Sequence, residues 1–168
     1  MVYERNLAVA GGIWGGGMMF PRIVVQKEGC RILDEFGVWY REYAEGYYIA
    51  SSIETVAKLT AGVVDAGAEI INLVAVEDVM IREDERVAGL VINWEAVERT
   101  RLHVDPLSVR AKVVIDGTGH DANICKVVQR KIPGARVGSL GVPGEKPMWA
   151  DVGERTVVEV TQEVYPGP

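Results

Sequence analysis

Residues 102–121, LHVDPLSVRAKVVIDGTGHD, constrain the fold of this chain more than any other stretch. Residues 111–115 form a short, largely apolar and β-branched run that reads as a buried strand. Polar groups stand at both ends, His103 and Asp105 before it, His120 and Asp121 after it, and the chain's two histidines are both here. A strand running into Gly117-Thr118-Gly119-His120 delivers a side chain beyond its carboxyl end, where α/β sheets bind ligands. His103, Asp105 and His120 together offer nitrogen and oxygen donors suited to a first-row metal. Spacing alone leaves a plainer reading open: His-x-Asp before Pro106 also builds an Asx-type turn, and Gly-Thr-Gly a tight turn. The fourteen residues between Asp105 and His120 match no standard zinc pattern.

The rest of the chain supplies what such a strand must pack against. Its 168 residues are enough for one α/β domain spanning 1–168 with a sizeable core. The net charge of −6, with no basic run, argues against a nucleic-acid partner. No apolar segment reaches the roughly 18–20 residues of a membrane span, and MVYERNLAVAGG lacks a signal-peptide layout. Cys30 and Cys125 form neither a disulfide framework nor a C-x-x-C pair, so a reducing cytoplasm is expected.

Val2-Tyr3-Glu4 resembles the end of the second strand of a dinucleotide-binding unit, where the acid receives ribose hydroxyls. The G-x-G-x-x-G turn of such a unit would lie some 20 residues upstream. Glu4 as a plain surface acid is the competing reading. Residues 11–20 hold five glycines among Trp, Met and Phe, unlike a solvated linker. Glycine there suits close approach of backbone to a ligand or a strand.

Further on, residues 23–26 read as a strand, and residues 29–43 as a helix. Residues 47–50 read as a strand, followed by a helix capped by Ser51 or Ser52 and closed by Gly67. Residues 69–76 read as one buried strand. Residues 79–82 and 87–94 read as a hairpin around the acidic turn Glu83-Asp84-Glu85. Residues 122–131 have helical spacing, residues 133–147 read as a long irregular loop, and residues 152–164 show no clear pattern.

In order along the chain, GGIWGGGMMF, VAVEDVMIRE, GLVINW, LHVDPL and VVIDGTGHD resemble the archaeal thiazole synthase family, makers of the adenylated thiazole precursor of thiamine. Some members carry the older name ribose bisphosphate isomerase. The resemblance runs over essentially the whole chain and implies an α/β dinucleotide-binding fold, of the FAD/NAD(P) type, with an inserted β-hairpin region. It covers the internal portion of such an enzyme. The first strand with its phosphate-binding turn and helix, and a C-terminal segment that receives the glycine carboxylate, have no counterpart here.

The resemblance also implies a reaction. NAD, glycine and sulfide are joined into ADP-thiazole with Fe(II), in a ring-shaped homo-oligomer, possibly an octamer. It places Glu4, Arg5, Gly12 and Val76 around the ADP-ribose portion of NAD. The segment of His103, Val104 and Asp105 then reaches the cofactor. It makes Asp105 and His120 the iron ligands, with the aspartate supplied by a neighbouring protomer. In the yeast-type branch the position of His103 is a cysteine that surrenders its sulfur. A histidine there, as the one catalytic position, implies free sulfide and multiple turnovers. Two alternatives stand beside this reading: an FAD-dependent oxidoreductase relative, because Gly-Thr-Gly also ends strands in flavoproteins, and a non-catalytic fragment.

Overall fold

In the computed structural model, which describes residues 1–14, 21–119, 122–132 and 134, the helices and strands fall into two units. Of the described residues, one holds those within 9–69, the other those within 1–8 and 70–134.

In the unit of residues 9–69, the β-branched run of β2 (Arg22–Gln26) pairs antiparallel with β4 (Tyr47–Ser51), and β4 pairs with β3 (Tyr40–Ala44). Between β2 and β3 lies α1 (Lys27–Glu35), whose buried Cys30 and Leu33 face inward. Leu33, Val38 and Ala50 form the core, with Ile23, Val25, Phe36 and Tyr40 packed around them. Burying a side chain such as Leu33 contributes about 1.5–3 kcal/mol.

The helix expected to run from Gly29 into Tyr43 therefore stops at Glu35, and the remainder is strand β3. Gly37 ends it: at φ +64° it takes the left-handed conformation. Its amide donates to the Asp34 carbonyl at 3.0 Å, and the Val38 amide to the Leu33 carbonyl at 2.8 Å. These two bonds satisfy carbonyls that the helix end would otherwise leave open.

The helix α2 (Ser52–Asp65) begins and ends as its sequence implies. The Ser51 hydroxyl accepts from the Glu54 amide at 3.3 Å, the standard way to satisfy a first-turn donor. At the other end Gly67, at φ +79°, repeats the pair of closing bonds, to Val64 at 2.9 Å and from Ala68 to Val63 at 3.2 Å. A 3-10 turn at Gly11–Trp14 precedes β2. It is tied to the start of α2 because the Ser52 hydroxyl donates to the Trp14 carbonyl at 2.9 Å.

In the unit of residues 1–8 and 70–134, β1 (Val2–Glu4) pairs in parallel with β5 (Ile70–Asn72). A meander of β6 (Val74–Ile81), β7 (Val87–Trp94) and β8 (Leu107–Arg110) follows. Helices α3 (Glu95–Thr100) and α4 (Asn123–Lys131) complete the unit. Val74, Ala75, Val79, Ile92 and Ile124 are its buried apolar residues.

Two readings of this region change. The strand expected over residues 69–76 is two strands, β5 and β6, divided at Leu73, whose φ of +58° turns the chain from one sheet into the other. Residues 111–115 are not a buried strand: the ladder ends with the Ala111 amide donating to the Ala88 carbonyl at 2.9 Å. Val113 is 75% exposed and Ile115 88%, and among the described residues no strand pairs with them. Composition favours a strand there, but a strand needs a partner edge, and β7 has only Val87 left before its acidic turn. The hairpin turn itself lies where expected, with Glu85 at φ +56°.

Candidate functional site

The His103–Asp105 segment is built by the helix before it. Just after α3, Arg101 adopts a left-handed φ of +55°, its amide donating to the Glu98 carbonyl at 3.3 Å and the Leu102 amide to the Val97 carbonyl at 3.1 Å. This is the same helix ending that Gly37 and Gly67 make, here with an arginine in a conformation that costs a non-glycine residue about 1–2 kcal/mol. The chain then runs extended beside β7, to which the buried Asn93 ties it. The Asn93 side-chain amide donates to the Val104 carbonyl at 3.1 Å, and its oxygen accepts from the Trp94 amide at 2.9 Å. Asn93 is 6% exposed, so this bond is shielded from water. The segment is thus fixed at Val104, while the side chains of His103 and Asp105 on either side are exposed. Among the described residues neither has a hydrogen-bond or ion-pair partner, which leaves an imidazole and a carboxylate open to a ligand.

Glu4 and Arg5 leave the end of β1 in different states. One Glu4 oxygen accepts from the Asn6 backbone amide at 2.8 Å and its side-chain amide at 3.1 Å. Arg5 is held by α3: its Nε donates to Glu95 at 2.8 Å and its Nη2 to Glu98 at 3.1 Å. The second Glu95 oxygen accepts from Arg99 at 3.0 Å, one turn along the same helix. Glu95 is only 5% exposed. The hydrogen bond from Arg5, outweighing burial, holds its carboxyl below the usual glutamate range, and the same bond raises the Arg5 guanidinium. One acid thus aligns two guanidiniums.

Val76, half-buried in β6, pairs with Ile92 of β7, which in turn pairs with Leu107 just after the His103–Asp105 segment. Gly12 lies in the 3-10 turn of the other unit, open around its α-carbon. His120 and Asp121 lie outside the described residues, as do residues 15–20 and nearly all of the loop expected at 133–147. Among the described residues no three His, Cys, Asp or Glu converge as a metal site.

The approach to His120 is nevertheless organised by a residue that sequence reasoning passed over. Asp116 accepts from the Thr118 amide at 2.9 Å and its hydroxyl at 2.7 Å, and from the Cys125 amide in the first turn of α4 at 2.9 Å. The Thr118 hydroxyl accepts from the Asn123 amide at 2.8 Å. Burial opposes ionisation of Asp116, yet these donors together hold its pKa below the ordinary value. Its signal was Asp-Gly-Thr, an Asx turn shifted eleven residues from the one weighed at Asp105. Glu95 also had a signal, its spacing to Arg99. The reach of Asn93 to Val104 had none.

A parallel strand ending in an acid, joined to an antiparallel meander and packed helices, is a dinucleotide-binding-type α/β arrangement. The Thi4 family model matches residues 1–168, and the chain belongs to that family. It is 70% identical over 167 residues to the thiamine thiazole synthase of Methanothrix thermoacetophila, covering 99% of this chain and 64% of that protein. The thiamine thiazole synthase of Desulfosudis oleivorans is 50% identical over 167 residues, with the same coverage of 99% and 64%. The crystal structure of Thermovibrio ammonificans THI4 superposes with a TM-score of 0.77 at 49% identity, over 91% of this chain and 59% of that one. The chain thus spans somewhat under two thirds of the length of these relatives.

Proposed function

We propose that this chain serves the thiazole synthase reaction of thiamine biosynthesis, joining NAD, glycine and sulfide into ADP-thiazole with Fe(II). The observation that carries the reading is the family match over all 168 residues, with thiamine thiazole synthases 50–70% identical along it. The enzyme works as a homo-oligomer in the cytoplasm. Among the described residues no helix is long and apolar enough to cross a membrane.

Glu4, Arg5, Gly12 and Val76 would hold the ADP-ribose portion of NAD. Arg5, fixed by Glu95 and Glu98, meets a phosphate or ribose oxygen without first losing side-chain freedom. Asp105 and His120, from neighbouring protomers, would hold the iron. A carboxylate and an imidazole are ligands compatible with Fe(II), and the unpartnered Asp105 carboxylate fits that use. When bound, the iron supplies a Lewis acid and a template that brings sulfur and the glycine-derived carbon together.

The sulfur is external. His103 carries none, and neither thiol is suited to donate. Cys30 is buried in the core, and burial raises its pKa; burial, then the Asp116 hydrogen bond, does the same at Cys125. A thiol kept protonated is a poor nucleophile and a poor sulfur source.

Anaerobic incubation of the chain with NAD, glycine, sulfide and Fe(II), read by mass spectrometry, tests this. ADP-thiazole should form with the protein mass unchanged, and omission of sulfide should stop it. In His103→Cys without sulfide, loss of one sulfur from the protein is expected. ADP-thiazole made by the unaltered chain without sulfide, or no product with every substrate present, would contradict the reading. A tightly bound FAD would point instead to the oxidoreductase alternative.

A further inference from the structure

The meander places an unexpected charge at the end remote from His103 and Asp105. There Arg82, Arg86, Arg110 and Lys112, with Ala88 and Ala111, line a wide-open surface depression of about 460 Å³. All four cations stand on one rigid frame: the Arg82 amide donates to the Arg86 carbonyl at 3.1 Å, and the Ala111 amide to the Ala88 carbonyl at 2.9 Å. The two alanines are too small to fill the space between the long side chains, so a concavity remains.

Like charges held close together repel one another. Arg82 and Arg86 flank the acidic turn Glu83-Asp84-Glu85 that joins β6 to β7, and Arg110 and Lys112, at the end of β8 and just beyond it, add two more charges of the same sign. No acid lines the depression. Part of this charge is compensated within the turn, where Asp84, between Glu83 and Glu85, accepts from the Nε of Arg86 at 3.2 Å with both groups well exposed. Among the described residues the side chains of Arg82, Arg110 and Lys112 have no partner. Four cations gathered in one pocket also run against a chain whose net charge is −6.

We infer that this pocket binds a small phosphorylated anion. The unpartnered guanidiniums of Arg82 and Arg110 supply paired donors matched to phosphate oxygens, and Lys112 adds a point charge. A monocarboxylate would neutralise one charge of four, whereas a phosphate or pyrophosphate group offsets two or more. The pocket is separate from the His103–Asp105 segment: it sits where Arg110 pairs with Gly89, while His103–Asp105 precede the Leu107 end of the same strand.

Titration of inorganic pyrophosphate into the full chain by calorimetry tests the assignment. One saturable site per chain is expected, weakened by added salt. Arg82→Ala with Arg110→Ala should lower the affinity at least about tenfold, as loss of charge-assisted hydrogen bonds implies. Both side chains are exposed, so circular dichroism should be unchanged. Arg130→Ala, on α4 and outside the pocket, should bind as the unaltered chain does. Absence of saturation, or equal binding by the double variant, would overturn the inference. Equal losses in Arg130→Ala would reduce the effect to net charge and overturn it too. Binding of a polyglutamate peptide with no binding of pyrophosphate would assign the pocket to an acidic polypeptide instead.

Discussion

At the scale of single residues, Glu95 links the start of this unit to α3. Its folded pKa lies below the ordinary glutamate value of 4.5, chiefly through the bond from Arg5. Its contribution to stability is therefore fully present above that value and is lost as the pH falls through the lower folded pKa. Glu95→Gln should flatten the melting temperature measured against pH below about 4.5, where the unaltered chain loses stability. An identical acid limb in both proteins would show that the bridge to Arg5 contributes nothing. The sequence made Glu4, Arg5, His103 and Asp105 visible because their types suit chemistry. It concealed what holds them: Glu95 and Glu98 on Arg5, ninety residues or more away in sequence, and Asn93 on Val104. Such contacts depend on which elements become neighbours, and no local pattern encodes that.

At the scale of elements, local signals were reliable where the chain's own backbone closes the structure. Ser51 and Gly67 bound α2 as read because caps and left-handed closures involve residues within one turn. Ser51→Ala should cost about 1 kcal/mol by denaturant unfolding; an unchanged midpoint would show that the 3.3 Å bond to Glu54 adds no stability. Gly89 carries a stronger constraint, because a β-carbon there would stand 2.0 Å from the Val109 carbonyl oxygen of the neighbouring strand. Gly89→Ala should therefore destabilise by about 3 kcal/mol or more, above ordinary overpacking, and a loss below about 1 kcal/mol would mean that β8 can move aside. The signals failed where pairing decided the outcome. Gly37 stops the helix that sequence pattern alone carries across β3. Leu73 interrupts a run that looked continuous, and residues 111–115 have strand composition without a strand beside them. Apolar β-branched runs report a tendency to pair, and the partner is supplied from elsewhere in the chain.

At the scale of the whole molecule, the α/β class and the family were legible from five motifs in fixed order. The two units were not, because a division of contacts leaves no mark on composition. The iron pair is a proposal that rests on resemblance. Asp105 stands open on a segment fixed by Asn93, and His120 follows the turn that Asp116 and Thr118 organise. The most direct measurement is anaerobic Fe(II) stoichiometry, read on the unaltered chain, on Asp105→Asn and on His120→Ala. The account predicts one iron per chain in the first and a fall of at least about tenfold in affinity in each variant, as loss of a ligand demands. Equal iron content in all three would contradict it.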